Sequence, residues 1–185
     1  MTLNSLRTRL LPVLGLARFL ALLVFLALSP ADTRLGNIVN LASLPGALNW
    51  AGLITFSVAG ILGLAALLAR RSGWYRATEA AGYAALIVWF VYIISSILIT
   101  GLTWGQWIAW NEPRVQATGS ILLAALLFVI VARLVNQRDF TAAVNLVMGI
   151  IPWIVISQAD AIRHPADPIG GSGSTAIQLY FQLIV

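Results

Sequence analysis

The amino-acid sequence predicts an all-α, polytopic transmembrane helix bundle of about six helices, the last one short or incomplete. Of its 185 residues, 60% are hydrophobic and only 9% are charged. A typical soluble domain is about 45–50% apolar and about 25% charged, so this chain lacks the polar surface that such a domain needs. Disordered chains are poor in apolar residues and are excluded for that reason. The prediction is therefore a single integral membrane domain over residues 1–185.

The first three predicted helices are long apolar runs that end at proline, arginine or polar loops. The first, 11–28, ends before Pro30 and is long for the apolar part of a signal peptide, so we expect it to be retained. The second, 47–69, ends at Arg70, and the third covers 79–101. Runs of this length with almost no charge are helices, because lipid demands internal backbone hydrogen bonding.

The last three predicted helices are less uniform. The fourth covers 115–135, and the fifth covers 141–157, where we expect Pro152 to introduce a kink. The sixth, 174–185, gives about 18 Å of helix against a hydrocarbon core of ~30 Å. It is a half-span, an interfacial helix, or a helix whose remainder lies beyond Val185, and we favour the last. Asn145, polar at membrane depth, is expected to hold helices together.

Arginine counting predicts the orientation, because every basic residue in the chain is an arginine. Cytoplasmic loops carry the excess of positive charge, so the side with seven arginines is assigned to the cytoplasm, together with the N-terminus. The net charge of +5 is then explained by topology, and no nucleic-acid partner is needed. We expect no site in the short cytoplasmic loops. The seven are Arg7, Arg9, Arg70, Arg71, Arg76, Arg133 and Arg138, against Arg34, Arg114 and Arg163 outside.

A tryptophan motif occupies the outer loop between the third and fourth helices, which reads TWGQWIAWNEPR. Trp104, Trp107 and Trp110 recur every three residues, which on a helix places them within an arc of about 120°. Such an indole shelf suits a large planar ligand, for example a porphyrin or a quinone. The alternative is an ordinary aromatic belt at the headgroup level. Asn111 is expected to cap the fourth helix.

The loop before the last helix holds the one histidine of the chain, His164, next to Arg163. A histidine at the outer mouth of a bundle can be an axial haem ligand, with arginines paired to the propionates. The alternative is a histidine that faces solvent. The chain has no cysteine, which excludes disulfides, thiolate nucleophiles and covalent haem attachment.

The order of these pieces resembles the CcmC-type haem-handling proteins of cytochrome c maturation. That family has six helices, an outer W-G-x-x-W-x-W-D motif between helices three and four, and a histidine in the outer loop on either side. Trp104, Gly105 and Trp110 match the motif at its spacing, and Trp107 stands one residue before its middle tryptophan. The segment Pro30–Asp32 fits the family's first outer loop, and the family's L-H-x-P-A has its counterpart in Ile162-Arg163-His164-Pro165-Ala166.

Three further positions depart from the family pattern. Asn111 stands where the motif has aspartate, Ser43 stands at the first histidine position, and Arg163 stands at the second, with His164 one residue later. A site with two histidine ligands is therefore not implied. Haem would be held by one histidine or by stacking on the indole shelf.

The resemblance implies a non-enzymatic protein that holds haem b non-covalently at the outer face of the bacterial inner (plasma) membrane for cytochrome c assembly. Trp104, Trp107 and Trp110 would form the shelf, His164 would be the axial ligand to the iron, and the propionates would pair with Arg34, Arg114 and Arg163. Other membrane subunits and the lipid bilayer would be its further partners.

The departures keep a second hypothesis open, in which the chain is a non-catalytic accessory subunit of a larger respiratory or photosynthetic membrane complex. It would keep the fold and have lost haem ligation. A small transporter or membrane enzyme is the weakest hypothesis, because no acidic residue lies at mid-membrane.

Overall fold

The computed structural model describes residues 38–160 and 175–184, and all regular secondary structure in these two stretches is helical. The all-α prediction is confirmed for this part of the chain. The first predicted helix, 11–28, lies outside the described residues. The helices are α1 (Ile38–Ala69), α2 (Ser72–Trp104), α3 (Pro113–Val135), α4 (Arg138–Met148), α5 (Ile151–Gln158) and α6 (Thr175–Ile184).

Four stretches are long and apolar enough to cross a membrane, which identifies an integral membrane protein. The described part of the chain thus contains four candidate spans where six were predicted over the full length. The sixth predicted helix corresponds to α6, whose ten residues cover only about 15 Å. The four spans are Leu44–Ala69, Ser72–Thr103, Pro113–Val135 and Arg138–Gln158, the last of which combines α4 and α5.

Two helices are longer than the sequence predicts by nine or ten residues. α1 begins at Ile38 rather than at residue 47 and continues through Pro45. α2 begins at Ser72 rather than at residue 79 and runs to Trp104. The predicted starts were too late because proline and charged residues disfavour helix interiors. The structure nevertheless continues α1 through Pro45, its eighth residue, and α2 through Arg76 and Glu79, its fifth and eighth residues.

Three helix ends use a residue in the left-handed backbone conformation. Arg70, Gly105 and Asn136 have φ values of 50°, 67° and 51°. Each donates its backbone N–H to the carbonyl four residues earlier, at 2.9, 3.1 and 3.0 Å. Glycine and asparagine are the usual residues at such ends, whereas arginine pays the steric cost of its Cβ.

The fourth span is broken between α4 and α5, at Gly149 and Ile150. Pro152 stands in the first turn of α5, where its missing N–H removes no helical hydrogen bond. The kink predicted from this proline is therefore confirmed, as a break three residues before it. The break also places Gly149 against α1, where a Cβ on Gly60 would lie 2.9 Å from the Gly149 Cα.

Aromatic and aliphatic side chains from four helices form the core. Phe56 of α1 and Trp89 of α2 meet edge to face with ring centroids 5.7 Å apart. Trp89 is fully buried, and its indole N–H donates to the Thr118 carbonyl of α3 at 3.1 Å. Ile121 of α3 and Met148 of α4 complete the cluster. This core fixes the positions of α1, α2, α3 and α4 relative to one another.

A polar junction ties α1, α2 and α4 together inside the apolar bundle. The buried Thr78 hydroxyl donates to the Ala59 carbonyl of α1 at 2.9 Å. Asn145 of α4 donates to the Thr78 carbonyl at 2.9 Å and to its hydroxyl at 3.1 Å. A polar side chain inside a membrane is stabilised when a neighbouring helix supplies its hydrogen-bond partner. The predicted role of Asn145 between helices is confirmed.

Candidate functional site

The tryptophan motif lies where α2 ends. Gly105 takes φ 67° and ψ 7°, and its N–H donates to the Gly101 carbonyl at 3.1 Å. This left-handed conformation suits glycine, because a Cβ is disfavoured there. The chain then leaves the helix, and residues 105–112 form a loop, here called the tryptophan loop. Trp104 is thus the last residue of α2, and the prediction of three indoles along one helix is wrong.

The tryptophan loop exposes its indoles and buries its smaller residues. Trp107 and Trp110 are 57% and 67% exposed. In contrast, Ala109 is fully buried and Glu112 is only 2% exposed. The Trp107 ring lies over Gly101, where an added Cβ would come within 2.5 Å of it. The loop is therefore anchored by two buried residues and presents two indoles at the end of the bundle.

Hydrogen bonds within the loop hold this arrangement. The Glu112 N–H donates to the Ala109 carbonyl at 2.9 Å, and the Trp110 N–H donates to the Ile108 carbonyl at 3.1 Å. The Gln116 side chain, from the first turn of α3, donates to the Trp110 carbonyl at 2.7 Å. Backbone groups that are satisfied in this way fix the direction in which neighbouring side chains leave the loop.

Helix α3 begins at Pro113, two residues before the predicted start at 115, but its N-cap lies one residue after the predicted cap. Its N-cap is Glu112, in an extended conformation with no side-chain capping bond, so the prediction that Asn111 caps this helix is wrong. The reason is Pro113, which occupies the first helical position and restricts the residue before it to extended backbone. Arg114 follows in the first turn, within electrostatic range of the Tyr92 phenol on α2.

The structure brings together four of the predicted site residues on this end of the bundle: Gly105, Trp107 and Trp110 of the tryptophan loop and Arg114 of α3. Trp104 is placed as the end of α2. Arg34, Arg163 and His164 lie outside the described residues, and so does the predicted metal ligation by His164. Within residues 38–160 and 175–184, no three histidine, cysteine or acidic residues are grouped as a metal site would require.

A polar cleft at the opposite end of the bundle was missed by sequence reasoning. It has a volume of about 680 Å³ and lies between α2, α3 and α4, near the starts of α2 and α4. Arg76, Glu79 and Tyr83 contribute from α2 at intervals of three and four residues. Residues at that spacing share one face of a helix, so this polar face could have been recognised from the sequence. We had expected no site in the loops on this side.

The chain matches no protein-family model, no curated protein and no solved structure. The resemblance to the CcmC-type proteins therefore rests on the motif and layout alone. Any function must be argued from the chemistry of the two ends of the bundle.

Proposed function

We propose that this membrane protein holds haem at the end of the bundle that carries the tryptophan loop, for transport to cytochrome c assembly. The observation that supports this proposal is the exposure of Trp107 and Trp110 on a loop anchored by buried Ala109 and Glu112. An ordinary aromatic belt needs tryptophans only at a suitable depth. An anchored loop that follows the Trp104-Gly105 pair and carries tryptophans at 107 and 110 is a more specific arrangement.

The residues of this end suit the chemistry of haem in two respects. Exposed indole faces can stack on the flat apolar macrocycle, and arginine pairs with propionate carboxylates in a charge-assisted geometry. Arg114 adjoins the loop, while Arg34 and Arg163 are further candidates from the sequence. His164 is the candidate axial ligand. The chain would bind and orient haem without making or breaking bonds, so we propose that it is not an enzyme.

We further propose that the tryptophan loop faces outward from the bacterial inner membrane. Of the six arginines among the described residues, five lie at the end opposite the loop, and Arg114 lies beside it. An excess of arginine favours the cytoplasmic side. Because the chain has no cysteine, single Asn111→Cys and Gln137→Cys variants can be labelled with an impermeant maleimide. We expect labelling from outside at Asn111 only, and labelling at Gln137 instead would reverse the orientation.

A haem titration of the detergent-purified chain tests the main proposal. We expect a Soret band together with quenching of tryptophan fluorescence. The double variant Trp107→Ala/Trp110→Ala should bind roughly ten-fold more weakly or worse, because each stacked ring contributes about 0.5–1.5 kcal/mol. Trp74→Ala is the matched control, since Trp74 is 40% exposed but lies at the start of α2, at the other end. Equal weakening by the control would contradict the assignment.

The variant His164→Ala separates two ways of holding haem. A Soret band that shifts or disappears in this variant assigns the axial ligand to His164. A band that is unchanged in His164→Ala but lost in the double tryptophan variant assigns binding to stacking alone. No band in the wild-type chain would refute haem binding.

The second candidate is a non-catalytic accessory subunit of a larger membrane complex. The observation that favours it is the apolar outer face of α3, where Leu123, Ile130 and Leu134 are exposed. This face can pack against helices of other subunits as well as against lipid. Co-purification with large subunits in fixed stoichiometry would support this role, and migration as a free monomer in mild detergent would exclude it.

A further inference from the structure

We propose that the cleft between α2, α3 and α4 binds the phosphate headgroup and upper acyl chain of an anionic phospholipid. This cleft lies at the far end of α2 from the tryptophan loop, and its nearest lining residue on α2, Tyr83, is 21 residues or roughly 32 Å along the helix from Trp104. The inference is independent of haem binding, because it uses none of the same residues.

The cleft changes from charged to apolar with depth. Arg138 is the first residue of α4, and Val144, six residues further along the helix, lies about 9 Å deeper. On α3, Arg133 stands near the C-terminal end, and Phe128 lies more than one turn inside. A lipid has the same order of chemistry, with a charged headgroup above an apolar chain. A free phosphate ion would leave the apolar wall without a partner.

The charge of the cleft is suited to an anion. Arg76, Arg133 and Arg138 line it, against the single lining carboxylate of Glu79. The nearby carboxylate of Asp139, which is outside the lining, accepts a hydrogen bond from the Tyr75 hydroxyl. Basic pockets between transmembrane helices are a recurrent way of binding acidic headgroups.

Arg133 is held in position for such a ligand. Its Nε–H donates to the Tyr83 hydroxyl at 2.6 Å, and its guanidinium carbon lies 5.3 Å from the centre of the Tyr83 ring. Four further N–H groups of the guanidinium can still donate to phosphate oxygens. Within residues 38–160 and 175–184, no hydrogen bond or ion pair engages the guanidinium group of Arg76 or Arg138. The three arginines thus have donor capacity that an anion would satisfy.

Native mass spectrometry of the full chain in detergent, titrated with phosphatidylglycerol or phosphatidylcholine, tests the proposal. We expect phosphatidylglycerol to bind more tightly than phosphatidylcholine. The variant Arg133→Gln/Arg138→Gln should lose about five-fold in affinity for each arginine removed. The matched control is Arg70→Gln/Arg71→Gln, which removes two arginines outside the cleft at the same end of the bundle. Equal loss in the control, or no loss in the cleft variant, would overturn the proposal.

A second variant and a competitor complete the test. Ala132→Phe fills the cleft from α3 while keeping all three arginines, and it should also abolish the preference for phosphatidylglycerol. If the arginine variant does not fold, the Ala132→Phe variant tests the proposal by itself. Inorganic phosphate at millimolar concentration should not displace the lipid. Displacement by phosphate alone would assign the cleft to a free anion and refute the lipid.

Discussion

Replacing Gly63 by alanine should force α1 away from α4. A Cβ at this position would lie 2.5 Å from the Ala142 carbonyl oxygen and 3.2 Å from the Leu146 nitrogen. Both neighbours are backbone atoms, which cannot move aside as a flexible side chain can. Ordinary contact begins near 3.4 Å, so the two helices must separate by about 0.9 Å along this direction.

Two opposing effects set the magnitude. Alanine favours helix over glycine by about 1 kcal/mol, whereas overpacking of a tight interior costs about 1–3 kcal/mol. The control is Gly119→Ala on α3, where an added Cβ meets nothing within 4 Å and only the favourable effect remains. The gain in helix propensity cancels between the two variants. We therefore expect Gly63→Ala to be less stable than Gly119→Ala by about 1–3 kcal/mol.

The assay is reversible unfolding of the purified chain in mixed micelles of mild detergent and SDS, followed by tryptophan fluorescence. Free energies of unfolding are compared for the wild type and the two variants. If the variants agree within about 0.5 kcal/mol, the close approach of α1 and α4 at Gly63 is wrong. If both lie below the wild type, the expected propensity gain fails.

Three further predictions use the same assay. A double-mutant cycle of Thr78→Val and Asn145→Ala should give a coupling energy of about 0.5–1.5 kcal/mol, and zero coupling would contradict the hydrogen bond between their side chains. Trp89→Phe should cost about 1–3 kcal/mol through a cavity and the loss of the hydrogen bond from the indole N–H to the Thr118 carbonyl, whereas exposed Trp74→Phe should cost little. Gly105→Ala should cost about 1 kcal/mol because its φ is positive, and an unchanged stability would refute the left-handed end of α2.

The features that local chemistry determines could be predicted from the sequence. Pro152 predicts an interruption because proline has no N–H to donate, and the fourth span breaks just before it. Asn145 predicts a contact between helices because an amide in lipid needs a partner, and that partner is Thr78. In each case one residue carries the signal, and its meaning does not depend on which helix lies beside it.

The errors arose where two local signals compete. The three-residue spacing of Trp104, Trp107 and Trp110 suggests a helix, but Gly105 stands between the first two and ends it. A glycine after a long apolar helix is itself a stop signal and should have been given more weight than the spacing. Likewise, Pro113 moves the N-cap from Asn111 to the residue directly before the proline.

The cleft could not be predicted because it depends on three helices that are far apart in the sequence. Tyr83 and Arg133 are separated by 50 positions, yet they form a hydrogen bond. Helical spacing predicts which residues of α2 share a face, but not which other helix this face meets. The cleft exists only where α2, α3 and α4 meet, and the sequence of one helix does not show that meeting.

The connection between α1 and α2 has a consequence for how the chain enters the membrane during its synthesis. Only Arg70 and Arg71 separate the two helices, so the pair must insert together as a hairpin. Glycine would relieve the strained backbone at Arg70, but it would leave the turn with half its charge. Two guanidinium groups in a turn favour the cytoplasmic side, so we expect this hairpin to fix its direction from the moment it inserts. Arg70 thus suits the insertion of the hairpin into the membrane better than it suits the stability of the folded bundle.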